Sequence, residues 1–502
     1  MDLSQKKIDT RIKKLLDKYW KIDNLKDKQK EIITNYLSGN DVVGLLPTGY
    51  GKSLCYLLPP LITNKVMFII SPLISLMEDQ KEKLILMEIP VAALHGNNIN
   101  KDKEIFSIID GNINIVYMSP EYLIRGDGFE LANSLMEQNR LGYIAIDESH
   151  CISAWGHDFR DDYLKINKFR KHFPTIPMMA VTATATLQVV GDIINNLNMN
   201  NPKITIGNFD RPNIYLKCVG VKNICLDNIK EWIDKYEGHK LIIYTNSRDQ
   251  TNELSKEINK TYGPISNYYH AGMSKAFRNK VQNKFNNGEC NLIVSTVAFG
   301  MGIDQTVRCV IIFGSPNSIE EYYQMIGRGG RDGEAAEAIL LFQYKNIAIN
   351  TSNIKKGGFD KEIMDCKLKS LNKMANYFYY PGCRRRFILE YFGQVPKFFW
   401  CNYCDNCCEG KMIDMTDKFI RVLFGKKLVK EKYTDVFTEK ELAILEEHDL
   451  ITTKNNIFEL LITIKNWKKL IETNNYISSA SGEISKGIPN KYLINIKNIK
   501  TK

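Results

Sequence analysis

Nine short apolar runs constrain this chain more than any other feature. "DVVGLL", "VMFIIS", "NIVYMS", "YIAID" and "MMAVTAT" fall within residues 41–184, and "KLIIYT", "NLIVST", "CVIIF" and "AILLF" within 240–342. Each is bounded by turn-forming residues, and helical patterns separate them. Strands that are apolar on both faces must be covered on both faces, and helix-length connections allow successive strands to run parallel. The pattern predicts two α/β domains built on parallel sheets. The break between the series, around "NFDRPNIY", marks the expected boundary between them.

The expected domains are 1–205, 206–352, 353–410 and 411–502, with "TSNIKKGGFD" at 351–360 read as a linker and a helical hairpin after it. In the tail, "TEKELAILEEHDLITTKNNIFELLITI" is read as a helix followed by a strand pair, as in a small winged-helix unit. No stretch reaches the roughly 18 apolar residues of a membrane span, and the N-terminus lacks the apolar core of a secretory signal. An intracellular protein without membrane contact is expected, and nothing separates nucleus from cytoplasm. The net charge of +11 favours a polyanionic partner, and residues 411–502 carry 17 Lys+Arg against 12 Asp+Glu.

"LLPTGYGKS" follows the first apolar run. Gly49 and Gly51 let the loop that runs from Pro47 through Thr48 and Tyr50 wrap a phosphate, with the available backbone N–H groups pointing inward. Lys52 is placed for the β- and γ-phosphates of a nucleotide and Ser53 for Mg²⁺, with Leu46 standing where the pattern usually has its first glycine. A hundred residues on, "YIAIDESH" ends a strand in Asp147, suited to Mg²⁺, and Glu148, suited to orienting the water that attacks the γ-phosphate. In the second domain, "QMIGRGGRDG" sets Gln324, Arg328 and Arg331 at helical spacing among glycines. An arginine entering another domain's phosphate site stabilises the transition state; a solvated basic helix face explains the charges but not the glycines.

Directly after the carboxylates comes "AWGHDFRDDY". Trp155 and Phe159 suit stacking on unpaired bases, His157 hydrogen bonding to the strand or back to the catalytic residues, and Arg160 a phosphate. Packing of Trp155 and Phe159 against the first domain is the competing reading.

Five of the twelve cysteines lie between Cys383 and Cys408. Cys383, Cys401, Cys404 and Cys407 have the spacing C-x17-C-x2-C-x2-C, which suits a closed, structural Zn²⁺ site. Unrelated core thiols and a disulfide framework are the other readings, and Cys408 offers an altered register. Both a nucleic-acid contact and an ordinary solvated face accommodate Arg384 to Arg386.

In this order the motifs resemble a superfamily 2 helicase of the RecQ family over about 400 residues. "LKDKQKEII" resembles its adenine-reading segment, with Gln29 in the glutamine position, Lys26 in the usual arginine position and Ile22 where an aromatic is expected. "SPLISLMEDQ", "DESH", "VTATAT", "FDRPNI", "YTNSR", "STVAFGMGID" and "YYQMIGRGGRDG" resemble its further motifs, with Ser149 where alanine is usual. The aromatic loop and the four-cysteine element resemble family hallmarks. The resemblance implies two tandem RecA-like domains, a helical zinc-binding subdomain and a small C-terminal domain. It also implies ATP and Mg²⁺ as cofactors and ATP-driven 3′→5′ unwinding of single-stranded and tailed duplex DNA, in a repair or recombination setting. A monomer is favoured. The residues alone imply only an NTPase assembled from two domains, so an RNA helicase or a nucleoprotein-remodelling translocase remains the alternative, and a non-enzymatic binding module a distant third.

Overall fold

The computed structural model describes residues 5–156, 159–299, 305–380, 382–398 and 400–408, with short strands at 412–414, 451–454, 457–460 and 493–495. The chain divides into two compact units, Met1–Tyr377 with Phe387–Lys397, and Phe378–Arg386 with Phe398–Lys502. No helix among the described residues is long and apolar enough to cross a membrane.

The first unit carries two parallel sheets. Strands β1 (Val42–Leu45), β2 (Val66–Ile70), β3 (Val91–Leu94), β4 (Ile115–Met118), β5 (Leu141–Ile146), β6 (Met178–Thr182) and β7 (Lys203–Ile206) form the first, in the order β3-β4-β2-β5-β6-β1-β7. Strands β8 (Ile214–Gly220), β9 (Leu241–Thr245), β10 (Ser266–Tyr269), β11 (Leu292–Ser295), β12 (Cys309–Phe313) and β13 (Ala336–Phe342) form the second, in the order β10-β11-β9-β12-β13-β8. All nine apolar runs are strands. The four strands they did not include, β3, β7, β8 and β10, are the four sheet edges. At these edges β3 is buried throughout but only four residues long, with two alanines, whereas the other three have incomplete cover. Accordingly β8 alternates in burial, and β7 leaves Lys203 and Ile204 exposed.

This strand order positions the site. Strand β6 lies between β1 and β5, so the loops leaving β1 and β5 open at the same carboxyl edge of the sheet, where open α/β sheets bind ligands. Lys52 opens the helix Lys52–Thr63 after the first loop, and Asp147 and Glu148 follow β5.

The stretch read as a linker is helical as far as Lys356, in the helix Tyr344–Lys356. Its composition looked loop-like because most of its residues are polar; within it Ile354 is buried, and the same helix is anchored just upstream through polar groups. Asn346 and Asn350 are buried, and Asn350 Nδ2 donates to Ser315 O at 3.0 Å. The helix Lys361–Tyr379 follows.

The second unit contains the four cysteines and two antiparallel strand pairs, Met412–Asp414 with Leu493–Asn495 and Ile451–Lys454 with Ile457–Leu460. The latter is the pair expected in the tail. The helix expected before it lies outside the described residues.

Candidate functional site

The phosphate loop is braced from below. Gly49 and Gly51 take φ of +80° and +91°, in the left-handed region that only glycine enters without strain. A Cβ on Gly51 would also lie 2.6 Å from Gln29 Nε2. The Gln29 side chain donates to Tyr50 O and Gly51 O, both at 3.0 Å, and accepts from Lys26 N at 2.9 Å. It thus ties the expected base-reading segment to the loop. Lys26 Nζ lies 4.7 Å from the centroid of the Tyr50 ring, and partial burial lowers the lysine's pKa.

Lys52 Nζ lies 3.9 Å from Glu148 Oε1, so residues nearly a hundred positions apart meet at the loop. Asp147 is buried, with Tyr56 OH 3.3 Å from its Oδ2 and Glu148 N 3.0 Å from its Oδ1. Burial, and then the adjacent Glu148 carboxylate, push the Asp147 carboxyl up to about 6. A divalent cation would relieve both costs, which is the behaviour expected of a metal-directed carboxylate. Glu148 itself adopts φ 47°, an uncommon left-handed conformation for a side chain of its size. It turns the chain so that His150 Nδ1 reaches both Glu148 Oε2 at 3.3 Å and Thr182 Oγ1 at 2.8 Å.

The second domain meets this loop. The helix Ile319–Ile326 carries Gln324, but it ends at Gly327, so Arg328 and Arg331 lie in the following turn and not on a continued helix. Pairing ends the helix: Gly330 N donates to Val307 O at 2.9 Å, and Gly330 takes φ 53°. The turn carries Arg331 to the phosphate loop, where an added Cβ on Gly49 would touch its Cγ at 3.5 Å. A Cβ on Gly327 would lie 3.1 Å from Thr48 Cβ. Arg328 is buried, and its Nε has no hydrogen-bond partner. Arg328, Gln324, Glu148, His150 and Arg160 share the lining of one cavity of about 750 Å³.

The aromatic loop folds directly onto these residues. A Cβ on Gly156 would lie 2.1 Å from His150 O, so no other residue fits there. Arg160 N donates to Cys151 O at 2.9 Å, while Arg160 Nη1 donates to Pro72 O at 2.6 Å. Trp155 and Phe159 are half-buried and not core residues, and Lys369 Nζ sits 5.2 Å from the Trp155 ring centroid. His157 lies outside the described residues.

In the second unit, the sulfurs of Cys383, Cys401, Cys404 and Cys407 all lie within 4.8 Å of one another. Two of the separations are 3.8 Å (Cys401–Cys407) and 3.3 Å (Cys404–Cys407). A tetrahedral site with Zn–S bonds of about 2.3 Å has edges of about 3.8 Å, whereas a disulfide needs about 2.05 Å. The donor set therefore fits Zn²⁺. Cys408 is exposed and outside the cluster, which resolves the register in favour of Cys407. Arg384 is a structural residue and contacts no solvent: it is fully buried, with Nε 3.0 Å from Asp405 Oδ1 and Nη1 donating to Phe378 O at 2.9 Å. Asn406 Nδ2 adds bonds to Tyr380 O and Gly382 O at 2.8 and 2.7 Å.

Two participants were missed in the sequence. Tyr56 follows Lys52 by four positions on one helix, a spacing that could have drawn attention to it. Lys369 lies more than two hundred residues from Trp155 in a lysine-rich helix and gives no local signal.

Residues 26–193 match the DEAD/DEAH box helicase family, 223–333 the helicase conserved C-terminal domain, and 344–408 the RecQ zinc-binding family. The chain is 37% identical over 399 residues to the putative ATP-dependent RNA helicase R290 of Acanthamoeba polyphaga mimivirus, covering 79% of this chain and 72% of that protein. It is 36% identical over 413 residues to the ATP-dependent DNA helicase RecQ of Haemophilus influenzae, covering 81% of this chain and 64% of that one. The fold is similar to that of the Mycobacterium smegmatis helicase Lhr bound to single-stranded DNA and AMP-PNP (TM-score 0.53, 16% identity, 72% of this chain and 56% of that chain). With the two parallel-sheet domains, the phosphate loop, the paired carboxylates and the four-thiol cluster in place, the chain belongs to the RecQ family of ATP-dependent helicases.

Proposed function

We propose that this chain couples ATP hydrolysis to 3′→5′ translocation on single-stranded DNA and to unwinding of tailed duplexes, acting as a monomer. The observation that carries the reading is the Arg331 side chain lying against Gly49, since hydrolysis would then depend on closure of the second domain onto the first. Bound Mg²⁺ would supply positive charge that neutralises the phosphates. Ser53 and Asp147 would hold it. The Pro47–Gly51 loop wraps the phosphates, with Thr48, Gly49 and Gly51 supplying backbone N–H groups, Lys52 binds their oxygens, and Gln29 and Lys26 are assigned to the base. Glu148 orients the attacking water, and His150 holds Glu148 in place through its ring. Arg331 supplies positive charge from across the cleft, with Gln324 and Arg328 completing that wall. Trp155, Phe159 and Arg160 take the single strand, with His157 assigned to the same surface. Gly156, packed on His150 O, gives the loop a rigid connection to the catalytic residues.

The mimivirus relative is named as a putative RNA helicase, which keeps RNA as a second reading. One experiment separates the two: ATPase rate with single-stranded DNA against single-stranded RNA, followed by strand displacement on tailed duplexes of each. Stimulation and displacement with DNA support the proposal. RNA-only stimulation, or stimulation by DNA without displacement, overturns it.

A further inference from the structure

The β10 strand and the helix Lys275–Asn286 carry a feature that the helicase motifs leave unused. Three rings lie in a ladder. Tyr268 is its middle rung, 6.0 Å from His270 at an interplanar angle of 22° and 5.9 Å from Phe277 at 27°. Nearly parallel aromatic rings of this kind usually belong to a core, yet the ladder emerges at the surface. Phe277 is 41% exposed at its outer end. His270, at the inner end, is buried, and its Nδ1 has no hydrogen-bond partner while Nε2 lies 3.2 Å from Asn252 Oδ1. Beside that end, Arg248 and Ala271, the residue after His270, line the 750 Å³ cavity. Arg248 Nη1 and His270 Nδ1 lie 3.1 and 3.3 Å from where a Cβ on Gly272 would be, so both flank one exposed turn of backbone.

The charge around the ladder is one-sided. From Pro264 to Gly288 the sequence holds Lys275, Arg278, Lys280 and Lys284 and no acidic residue. The nearby carboxylates come from elsewhere: Asp249 acts on His270, and Asp79 on Tyr269. Asp79 also lies beside Lys275, and burial raises its pKa. Burial, reinforced by Arg248, lowers the His270 pKa and keeps the inner ring neutral. A stack of flat rings with an open outer face, set in a cationic segment next to residues that line the cavity, matches how single strands are held without sequence preference: aromatic faces for bases, cations for the backbone.

We propose that Phe277 and Tyr268 form a base-stacking platform on the second domain for the single strand where it leaves the cavity past Arg248 and Gly272, separate from the Trp155 loop on the first domain. The inference rests on the helicase reading. Two stacking points, one on each domain, would let one grip the strand while the other moves as the cleft opens and closes.

The test uses the full chain and a short oligothymidylate containing one 2-aminopurine, whose emission falls on stacking. Phe277→Ala is expected to weaken binding about 5- to 150-fold, the range for loss of one base stack. It should reduce the quenching while leaving ATPase without nucleic acid unchanged. Phe277→Trp should retain both affinity and quenching. Phe277→Leu, which keeps apolar cover and removes the ring, should behave as Ala does; a Leu variant that binds like the wild type overturns the stacking. Phe277→Ala binding and quenching like the wild type overturns the platform alone. A wild-type chain that binds no single strand instead overturns the helicase reading on which it rests.

Discussion

Buried charge is treated in opposite ways in the phosphate cleft and beside the four thiols. Around the thiols, Arg384 is fully buried but saturated: Asp405 faces its guanidinium, Phe378 O accepts from it, and Asn406 pins the adjoining backbone. In the cleft, two carboxylates are adjacent, Asp147 is pushed up to about 6, and Arg328 keeps a buried Nε without a partner. A structural ion pair is stable when each charge is matched by the protein itself. A catalytic site leaves charge for the substrate and its metal to match, so the same degree of burial carries opposite meaning in the two places.

The largest effect that tests this comparison concerns the metal. Cys404→Ser should abolish tight zinc binding and unfold the second unit, since such sites contribute on the order of 10 kcal/mol in small domains. Metal analysis should find about one zinc per wild-type chain by the four-thiolate assignment; much less than that in well-folded protein would refute it. Next, Arg331→Ala should lower ATP turnover about 10³- to 10⁵-fold with zinc content and melting temperature unchanged. Normal turnover would move the finger to Arg328.

Asp405→Ala should destabilise the second unit by about 3–5 kcal/mol because it strands the Arg384 charge in the interior. The check is thermal melting alongside zinc stoichiometry, and an unshifted melt would show that the pair is dispensable. Asp147→Asn should do the reverse in the cleft. The folded-state pKa is raised, so the stability contribution is fully present below the unfolded value of about 4 and is lost as pH rises through about 6. At pH 8 with EDTA the Asn variant should therefore be more stable than wild type, by on the order of 2–3 kcal/mol, while hydrolysing no ATP. The difference should vanish below about pH 4. A variant less stable than wild type at pH 8 would mean that Asp147 is a structural charge after all.

How much of this was legible beforehand follows from where the information resides. Central strands such as β1, β2 and β12 are buried on both faces, so their apolar runs announce them. Strands β7, β8 and β10 were not among the runs because their faces are only partly covered, and β3 because it is a short strand with two small alanines. The phosphate loop, the paired carboxylates and the thiol spacing are local patterns whose chemistry depends on residue type and spacing, and they stand out in one dimension.

Other features depended on which parts of the chain meet. The helix expected through Arg331 stops at Gly327 because Gly330 pairs with Val307, a partner more than twenty residues away. Arg384 looked like one of three surface arginines until folding placed Asp405 and Phe378 O around it. The stretch up to Lys356 looked like a linker because it is mostly polar; it continues a helix held upstream by Asn350, whose partner Ser315 only the fold supplies. Sequence by itself determined the chemistry available to this protein: phosphate loop, carboxylates, arginines, aromatic loop and thiolates at spacings that restrict their use. Tertiary structure alone decided which of those groups are matched and which are left open, because the cost of a buried charge depends on what lies within a few ångströms in space, and those neighbours come from distant parts of the chain.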